Sequence, residues 1–138
     1  MVPRYIKSNK NKSVEWNNAP DIKKRVSTMV SNIGLDWIKK GRVYCFRSRN
    51  SKTRAYARIW GLSRIFQLAM DIKPAYVLEV ISERFDKLNK NEQDKVLLHE
   101  LAHIPKTFSG SLLPHIKKGK FKFEDKVHEL IKMHKKSV

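Results

Sequence analysis

Apolar residues recur along the chain at two spacings, one typical of helices and one typical of strands. Helical spacing predicts helices at residues 21–33, 63–70, from an N-cap at Asn91 to before Pro105, and 124–134. Runs of β-branched and aromatic residues predict strands at residues 42–47, 57–62 and 75–81. Together these elements predict a small α+β domain with a short mixed sheet packed on a helix.

The first twenty residues differ in pattern from the rest of the chain. Residues 1–20 are polar, rich in Lys and Asn and without a hydrophobic period, which indicates a basic N-terminal arm. Residues 21–138 are then expected to form a single domain. Within it, residues 47–54 and 106–120 indicate loops, the first basic and the second containing Gly and Pro.

The composition limits the class of protein. The 138 residues include 30 Lys and Arg against 13 Asp and Glu, a formal net charge of +17, yet 41% of them are hydrophobic. That hydrophobic fraction argues against a wholly disordered basic tail. No apolar run approaches the roughly 18 residues of a membrane span, and the N-terminus has no signal-peptide core. The single Cys45 cannot form an internal disulfide, so a soluble cytoplasmic protein is expected.

The excess positive charge lies towards the two ends of the chain. Residues 1–60 hold 15 basic and 3 acidic side chains, and residues 106–138 hold 9 and 3, whereas residues 61–105 hold 6 and 7. This excess predicts a polyanionic partner, with RNA and the ribosome favoured over DNA. The ordinary alternative is that the charged flanks are merely solvated.

The expected nucleic-acid contacts are basic residues of the two flanks and of the basic loop. They are Arg4, Lys7, Lys10, Lys12, Arg47, Arg49, Lys52, Arg54, Arg58, Lys117, Lys118 and Lys120. Tyr44, Phe46 and Tyr56 interleave with the central members of this set. Such a mixture suits phosphate contact combined with base stacking.

The strongest chemical signal is the segment HELAH, which contains His99, Glu100 and His103. Histidines at positions i and i+4 of a helix project from one face, so both imidazoles can bind one metal ion. Glu100 is rotated off that pair, and in such motifs the carboxylate contacts the metal-bound water. Zinc lowers the pKa of that water towards about 7, and the carboxylate can accept its proton during attack on a carbonyl. The segment therefore predicts two zinc ligands and a catalytic base.

A third histidine is available to complete the site. His115 follows in a loop that contains Pro and can double back towards the helix. The ordinary alternative is that His99 and His103 are satisfied core histidines. Both lie in an otherwise apolar segment, VLLHELAHI, where polar groups without partners are costly, and this favours a zinc site.

Three segments carry a family resemblance: ARIWGL (57–62), PAYVLEVISERFDKL (74–88) and HELAHIPKTFSGSLLPH (99–115). The last is the closest match, running from the His-Glu motif through Ile-Pro and Phe-Ser-Gly to a final Pro-His. On these segments the chain resembles the phage and archaeal metallopeptidase-like domain, a small zincin-like family, over about residues 20–135.

The resemblance implies a zincin-like fold that binds one zinc ion. It assigns His99, His103 and His115 as zinc ligands and Glu100 as the catalytic base. Ala102 stands where a larger apolar residue is expected, a departure that affects neither ligand nor base. Because larger zincins take an acidic ligand from a downstream helix, Glu124 stays open as an alternative to the third histidine.

Some other residues have ordinary structural interpretations. Cys45 is expected to be a small buried hydrophobe, and Trp37 and Trp60 are expected in the core. Glu79 is expected on a strand face near the site, paired with Lys or Arg. Phe108, Ser109 and Gly110 fit either a pocket rim or a structural turn. His128, Glu129 and His134 (HELIKMH) lack the metal spacing and indicate a solvated helix end.

Two functions from different classes are therefore expected. The first is a zinc peptidase acting on a peptide or protein substrate, docked on nucleic acid through its basic surface. The second is a non-catalytic structural or accessory ribosomal protein that reuses a zincin-like fold, in which zinc contributes folding energy. The intact Glu100 favours the first and the charge distribution favours docking.

Overall fold

The computed structural model describes residues 12–116 and 122–137. The described residues form four strands: β1 Glu15–Asn18, β2 Arg42–Arg49, β3 Ala57–Gly61 and β4 Ala75–Ile81. They form six helices: α1 Pro20–Ile33, α2 Asp36–Lys39, α3 Arg64–Met70, α4 Ser82–Phe85, α5 Lys90–Leu101 and α6 Phe123–Ser137. The predicted α+β class and the mixed sheet are thus confirmed.

The four strands lie in the order β1-β2-β4-β3. The two central strands, β2 and β4, run parallel, with Arg42 beside Ala75 and Ser48 beside Ile81. Each outer strand pairs antiparallel with its neighbour, β1 with β2 and β3 with β4. β3 is therefore an edge strand of the described sheet.

One face of the sheet carries the hydrophobic core. Because side chains alternate along a strand, β2 and β4 turn every second residue towards this face. The buried strand residues are Val43, Cys45, Ala57, Ile59, Tyr76, Leu78 and Val80. The helices α1 and α5 cover them with Ile22, Val26, Met29, Val30, Leu97, Leu98 and Leu101. Burial in this core raises the pKa of the Cys45 thiol to about 11, as expected of an inert cysteine.

The opposite face of the sheet exposes aromatic side chains. We call it the open face and define it by Trp16, Tyr44, Phe46, Arg58, Trp60, Val77 and Glu79, which the strand pairing places on one side. Trp16, Tyr44 and Trp60 are 50%, 47% and 47% exposed. The prediction that Trp60 lies in the core is therefore wrong, because its position in β3 turns it away from the helices. Trp37 does pack against the core, as predicted.

The N-terminal half of the fold begins earlier than the sequence pattern indicates. β1 lies inside the predicted basic arm and pairs with β2, placing Asn18 beside Phe46. Its four residues are all exposed, so it has no buried face to give it a hydrophobic period. The division of the chain at residue 20 stays a prediction.

The helix ends follow local chemistry. Gly34 adopts the left-handed conformation, with φ of 81°, and caps α1 as predicted. The N-cap of α5 is Asn89 rather than Asn91, because the Asn89 side chain accepts from the Glu92 backbone N–H and the Glu92 carboxylate accepts from the Asn89 backbone N–H. This capping box places the N-cap two residues before the predicted one.

The short helix α3 projects from the end of the sheet. Gln67 is its buried residue, and its amide donates to the carbonyl oxygens of Leu62 and Ser109. The large apolar residues of α3, including Ile65 at 69% and Phe66 at 57%, are exposed. Among the described residues, none of the helices combines the length and apolar character that a bilayer crossing requires.

Candidate metal centre

The helix α5 places the first two histidines of the site. Leu97, Leu98 and Leu101 are buried in the core and fix the rotation of the helix. This rotation leaves His99 half-buried, while His103 lies in the turn just after the helix and is 7% exposed. Their ring centroids are 5.3 Å apart. The i, i+4 spacing thus brings the two imidazoles onto one side of α5.

The loop after α5 brings His115 to the same place. Nε2 of His115 lies 3.0 Å from Nε2 of His99, and the rings of His115 and His103 are 4.5 Å apart. One ligand nitrogen from each of the three histidines lies within 4.8 Å of the others. Nitrogens bound at about 2 Å to one ion lie within about 4 Å of each other, so small ring rotations suffice for all three to share a metal.

The protonation of the histidines suits metal binding. Burial lowers the pKa of His99, and the neighbouring His115 lowers it further. Burial also lowers the pKa of His103, whose Nδ1–H donates to the carbonyl oxygen of Leu113. That bond leaves Nε2 of His103 without its proton and free to act as the ligand atom. Neutral imidazoles of this kind are what a metal ion requires.

The loop that carries His115 is fastened to the sheet by polar contacts. The Tyr76 hydroxyl donates to the carbonyl oxygen of Ser111 and accepts from the backbone N–H of Gly110, both at 2.8 Å. The Gln67 amide donates to Ser109. Leu113 N–H donates to the carbonyl oxygen of His103 at 2.8 Å. These bonds fix the path of the chain between the second and third histidines.

Close packing at two glycines completes this anchoring. A Cβ on Gly61 would lie 2.0 Å from the carbonyl oxygen of Gly110, and a Cβ on Gly41 would lie 2.3 Å from the Phe108 ring. Phe108 has φ of 48° and packs edge-on against Tyr76. The Phe-Ser-Gly segment is therefore a structural turn that orients the His115 loop, which is one of its two predicted roles.

Phe123, the first residue of α6, packs against all three imidazoles. Its ring stacks on His103 with centroids 4.2 Å apart and meets His99 and His115 edge-on at 5.2 and 4.9 Å. Phe123 is 6% exposed, so it shields the cluster from water. The sequence pattern does not identify this residue. Its only signal was an aromatic residue at the start of a helix, which core packing explains equally well.

Glu100 lies beside the cluster without joining it. Its Oε2 is 3.9 Å from Nε2 of His99. Burial raises the pKa of Glu100 to about 7, although the backbone N–H of Ile59 lowers it. A carboxyl group with such a pKa can both accept and release a proton near neutral pH.

Glu100 lines two cavities of about 390 Å³ each. One is lined by Ala57 at the beginning of β3, with His99 and Glu124. The other is lined by Trp60 near the end of β3, with His103 and His115. The two cavities follow the edge strand past the histidine cluster. Glu124 is exposed and faces the first cavity, but it is not one of the residues whose ligand atoms cluster.

The second His-Glu segment lies apart from this cluster. His128 is exposed and lines the first cavity. His134 was expected at a solvated helix end, but its side chain is 14% exposed and its Nε2 lies 3.0 Å from Oδ2 of Asp94. Asp94 also pairs with Arg25 of α1. The expectation for His134 is wrong because α6 packs this face against α5 and α1.

The structure divides the predicted nucleic-acid contacts into three groups. Arg47 pairs with Asp21 and Asp86, and Arg58 pairs with Glu79. Lys12, Arg49, Lys52 and Arg54 have exposed side chains. Arg4, Lys7, Lys10, Lys117, Lys118 and Lys120 lie outside the described residues. The ion pairs of the first group compete with phosphate contact, which the sequence pattern could not reveal.

Glu79 has the partner that the sequence analysis expected. It lies on the open face with a side chain that is 0% exposed, and Arg58 donates two hydrogen bonds to it at 3.1 Å. The Trp60 Nε1–H donates a third at 2.9 Å. Burial raises its pKa, but the hydrogen bonds to the carboxylate, above all that from Arg58, outweigh burial and leave the pKa below its ordinary value.

Comparison with known proteins agrees with this geometry. No curated protein and no solved structure matches the chain. A family model described as "Putative phage metallopeptidase" matches residues 14–136. That match includes the three clustered histidines, the neighbouring carboxyl group and the strand along which the cavities lie. The chain therefore belongs to this metallopeptidase-like family.

Proposed function

We propose that the protein is a zinc-dependent peptidase in which His99, His103 and His115 hold one zinc ion and Glu100 is the catalytic base. The observation that carries this proposal is the convergence of three imidazoles from two separate segments beside a carboxyl group that does not belong to the cluster. A purely structural metal site has no need of that carboxyl group.

The donor set favours zinc over other metals. Imidazole nitrogen is a good ligand for zinc, whereas calcium and magnesium prefer oxygen. Three protein ligands that leave one position open are typical of catalytic zinc sites, whereas structural sites use four. Bound zinc would supply a water of lowered pKa and polarise the substrate carbonyl.

The residues of the chain then have distinct tasks. Glu100 accepts a proton from the attacking water and can return it to the leaving amine, which its pKa near 7 permits. The bond from His103 to Leu113 keeps that imidazole in the ligand tautomer. Phe123 excludes water from the far side of the imidazoles, which strengthens the electrostatic interactions within the site.

The edge strand β3 suits an extended peptide substrate. The Tyr56 carbonyl and the Leu62 N–H both bond towards β4. Because backbone groups alternate in direction along an antiparallel strand, Ala57, Ile59 and Gly61 turn theirs to the outer edge, where the Ile59 N–H interacts with Glu100. A peptide added to this edge would pass Glu100, which lines both cavities.

The test compares a histidine of the cluster with a histidine outside it, each of which lines one of the two cavities. His115→Ala should lose the stoichiometric zinc and the cleavage of an unstructured protein such as casein. The matched control is His128→Ala, an exposed histidine that is outside the cluster and should retain both. Chelation should abolish cleavage by the wild-type protein, and added zinc should restore it. Zinc bound equally by both variants, or cleavage that survives chelation, would contradict the proposal.

The same proposal includes a cytoplasmic location and a nucleic-acid partner, with the ribosome favoured. Residues 42–64 contain seven Lys and Arg and no Asp or Glu, a strip of charge that suits a polyanion. Sedimentation with ribosomal particles that weakens steeply with added salt would support it. Sedimentation without any cleavage would instead favour an accessory ribosomal protein that uses zinc for folding.

A further inference from the structure

We propose that the open face of the sheet is a binding site for single-stranded nucleic acid, whose bases stack on Trp16, Tyr44 and Trp60. This inference rests on the proposed nucleic-acid partner and names the surface that would bind it. The open face lies on the opposite side of the sheet from the core that supports α5, and Trp60, at the edge of the sheet, also lines the cavity beside His103 and His115.

Two of the three aromatic side chains lie in one row across the strands, and the third lies two rows away on the same face. Tyr44 on β2 and Trp60 on β3 both lie beside Val77 of the central strand β4. Two strand spacings separate them by roughly 10 Å. Trp16 lies beside Ser48 on the far side of β2. All three rings are about half exposed, so each has a surface on which an unpaired base could stack.

The Trp60 ring is held in place by a hydrogen bond to a buried carboxylate, that of Glu79. The Glu79 carboxylate is removed from water, and it accepts the Trp60 Nε1–H bond. The Arg58 guanidinium binds the same carboxylate and lies 5.0 Å from the Trp60 ring centroid. A buried carboxylate is unfavourable without partners, yet here it orients an exposed indole. A ring fixed in advance loses less entropy on binding.

Charge favours a nucleic acid over a protein as the occupant. Arg42 of β2 is exposed, and so are Lys52 and Arg54 in the loop that follows β2. No acidic residue occurs between positions 42 and 64, and the acid on the open face, Glu79, is already paired with Arg58. A polyanion with flat, apolar base faces complements both the positive loop and the aromatic rows.

The experiment measures binding of the full chain to fluorescein-labelled single-stranded RNA and DNA by fluorescence anisotropy across a salt series. Tyr44→Ala and Trp16→Ala should each weaken binding about tenfold without changing the slope of log Kd against log salt. Arg54→Ala should instead reduce that slope by about one ion. The matched control is Phe66→Ala, which removes a similarly exposed ring from α3 and should leave Kd unchanged.

Each outcome has a separate meaning. Weakening by the two sheet variants but not by Phe66→Ala, with unchanged thermal unfolding, supports the proposal, and comparison of RNA with DNA then identifies the preferred strand. Wild-type affinity in Tyr44→Ala and Trp16→Ala would overturn the open face as the site, leaving the basic residues or a protein partner to explain that face. Failure of the wild-type protein to bind any oligonucleotide would overturn the nucleic-acid partner itself.

Discussion

Glu79 and Glu100 lie next to the same strand, β3, but on opposite sides of it, and both are largely removed from water. Their side chains are 0% and 14% exposed. Burial raises the pKa of each, yet the pKa of Glu79 lies below its ordinary value and that of Glu100 rises to about 7. Burial alone therefore does not decide the charge state of a carboxyl group in this protein.

The number and charge of the donors make the difference. Glu79 accepts three hydrogen bonds, two of them from a guanidinium, so its ionised form is stabilised in the folded protein. For Glu100 the contact that opposes burial is the Ile59 backbone N–H. The first carboxylate organises a surface, whereas the second keeps lone pairs available for proton transfer.

The largest expected effect comes from removing the proton acceptor. Glu100→Gln should lower kcat/KM for peptide cleavage by about 10²–10⁴-fold while the protein still binds one zinc ion, because the amide keeps the shape of the side chain but cannot accept a proton. Metal content and cleavage of a fluorogenic peptide are the measurements. Glu124→Gln alters an exposed acid of the same cavity and serves as the control. Undiminished cleavage by Glu100→Gln would remove the catalytic role.

The next largest effect should come from removing the charged donor of Glu79, which leaves a buried carboxyl group with few hydrogen bonds, as at Glu100. Arg58→Met removes two of its three hydrogen bonds and its counter-ion. The free energy of unfolding should fall by about 1–3 kcal/mol, less than for a fully buried pair because the Arg58 side chain is 33% exposed. The pKa of Glu79, followed by carbon NMR titration, should rise above its ordinary value.

The control for this change is another arginine. Arg54→Met removes an exposed residue of the basic loop and should alter the free energy of unfolding little. Equal loss in both variants would show that the Glu79 ion pair contributes nothing specific to the fold.

The parts of the site that could be predicted from sequence are those whose residues lie close together in the chain. His99, Glu100 and His103 lie within five consecutive residues at the end of α5 and in the turn after it, so local spacing was enough to place them. His115 was suggested by the sequence because its loop follows directly. Phe123 was missed because only tertiary packing brings the start of α6 against the imidazoles.

The open face was the least predictable part of the fold. Glu79 and Arg58 are 21 positions apart in the sequence, and their pairing depends on strand register that a single sequence does not reveal. Trp60 was expected in the core because large aromatic residues are usually buried. β1 was missed because a fully exposed edge strand has no alternating pattern.

The pH dependence of stability should show the two glutamates with opposite signs. In protein stripped of metal by a chelator, the raised pKa of Glu100 means that the folded state holds a proton more tightly than the unfolded state. Stability from this group is therefore lost as pH rises from about 4.5 to about 7. The lowered pKa of Glu79 has the reverse effect, because its stabilisation is present above pH 4.5 and lost in more acidic solution.

The sign of the Glu100 contribution can be measured with one variant. Relative to the wild type, metal-free Glu100→Gln should gain about 1–3 kcal/mol in free energy of unfolding between pH 4 and pH 8. Urea unfolding at both pH values gives the comparison, and any constant effect of the amide cancels. A gain that is equal at the two pH values would show that Glu100 ionises normally in the folded protein.

The smallest expected effect is a single donor removed from Glu79. Trp60→Phe keeps an aromatic ring on the open face but deletes the Nε1–H bond to the carboxylate. Stability should fall by about 0.5–1.5 kcal/mol, and the pKa of Glu79 should rise less than in Arg58→Met. Trp16→Phe, on the same face but without a bond to Glu79, is the matched control. Because stacking on a phenyl ring persists, binding of single-stranded oligonucleotides should weaken far less in Trp60→Phe than in Tyr44→Ala. If Trp60→Phe and Trp16→Phe unfold alike, the carboxylate does not hold the indole in place, and the contrast between the two glutamates depends on Arg58 alone.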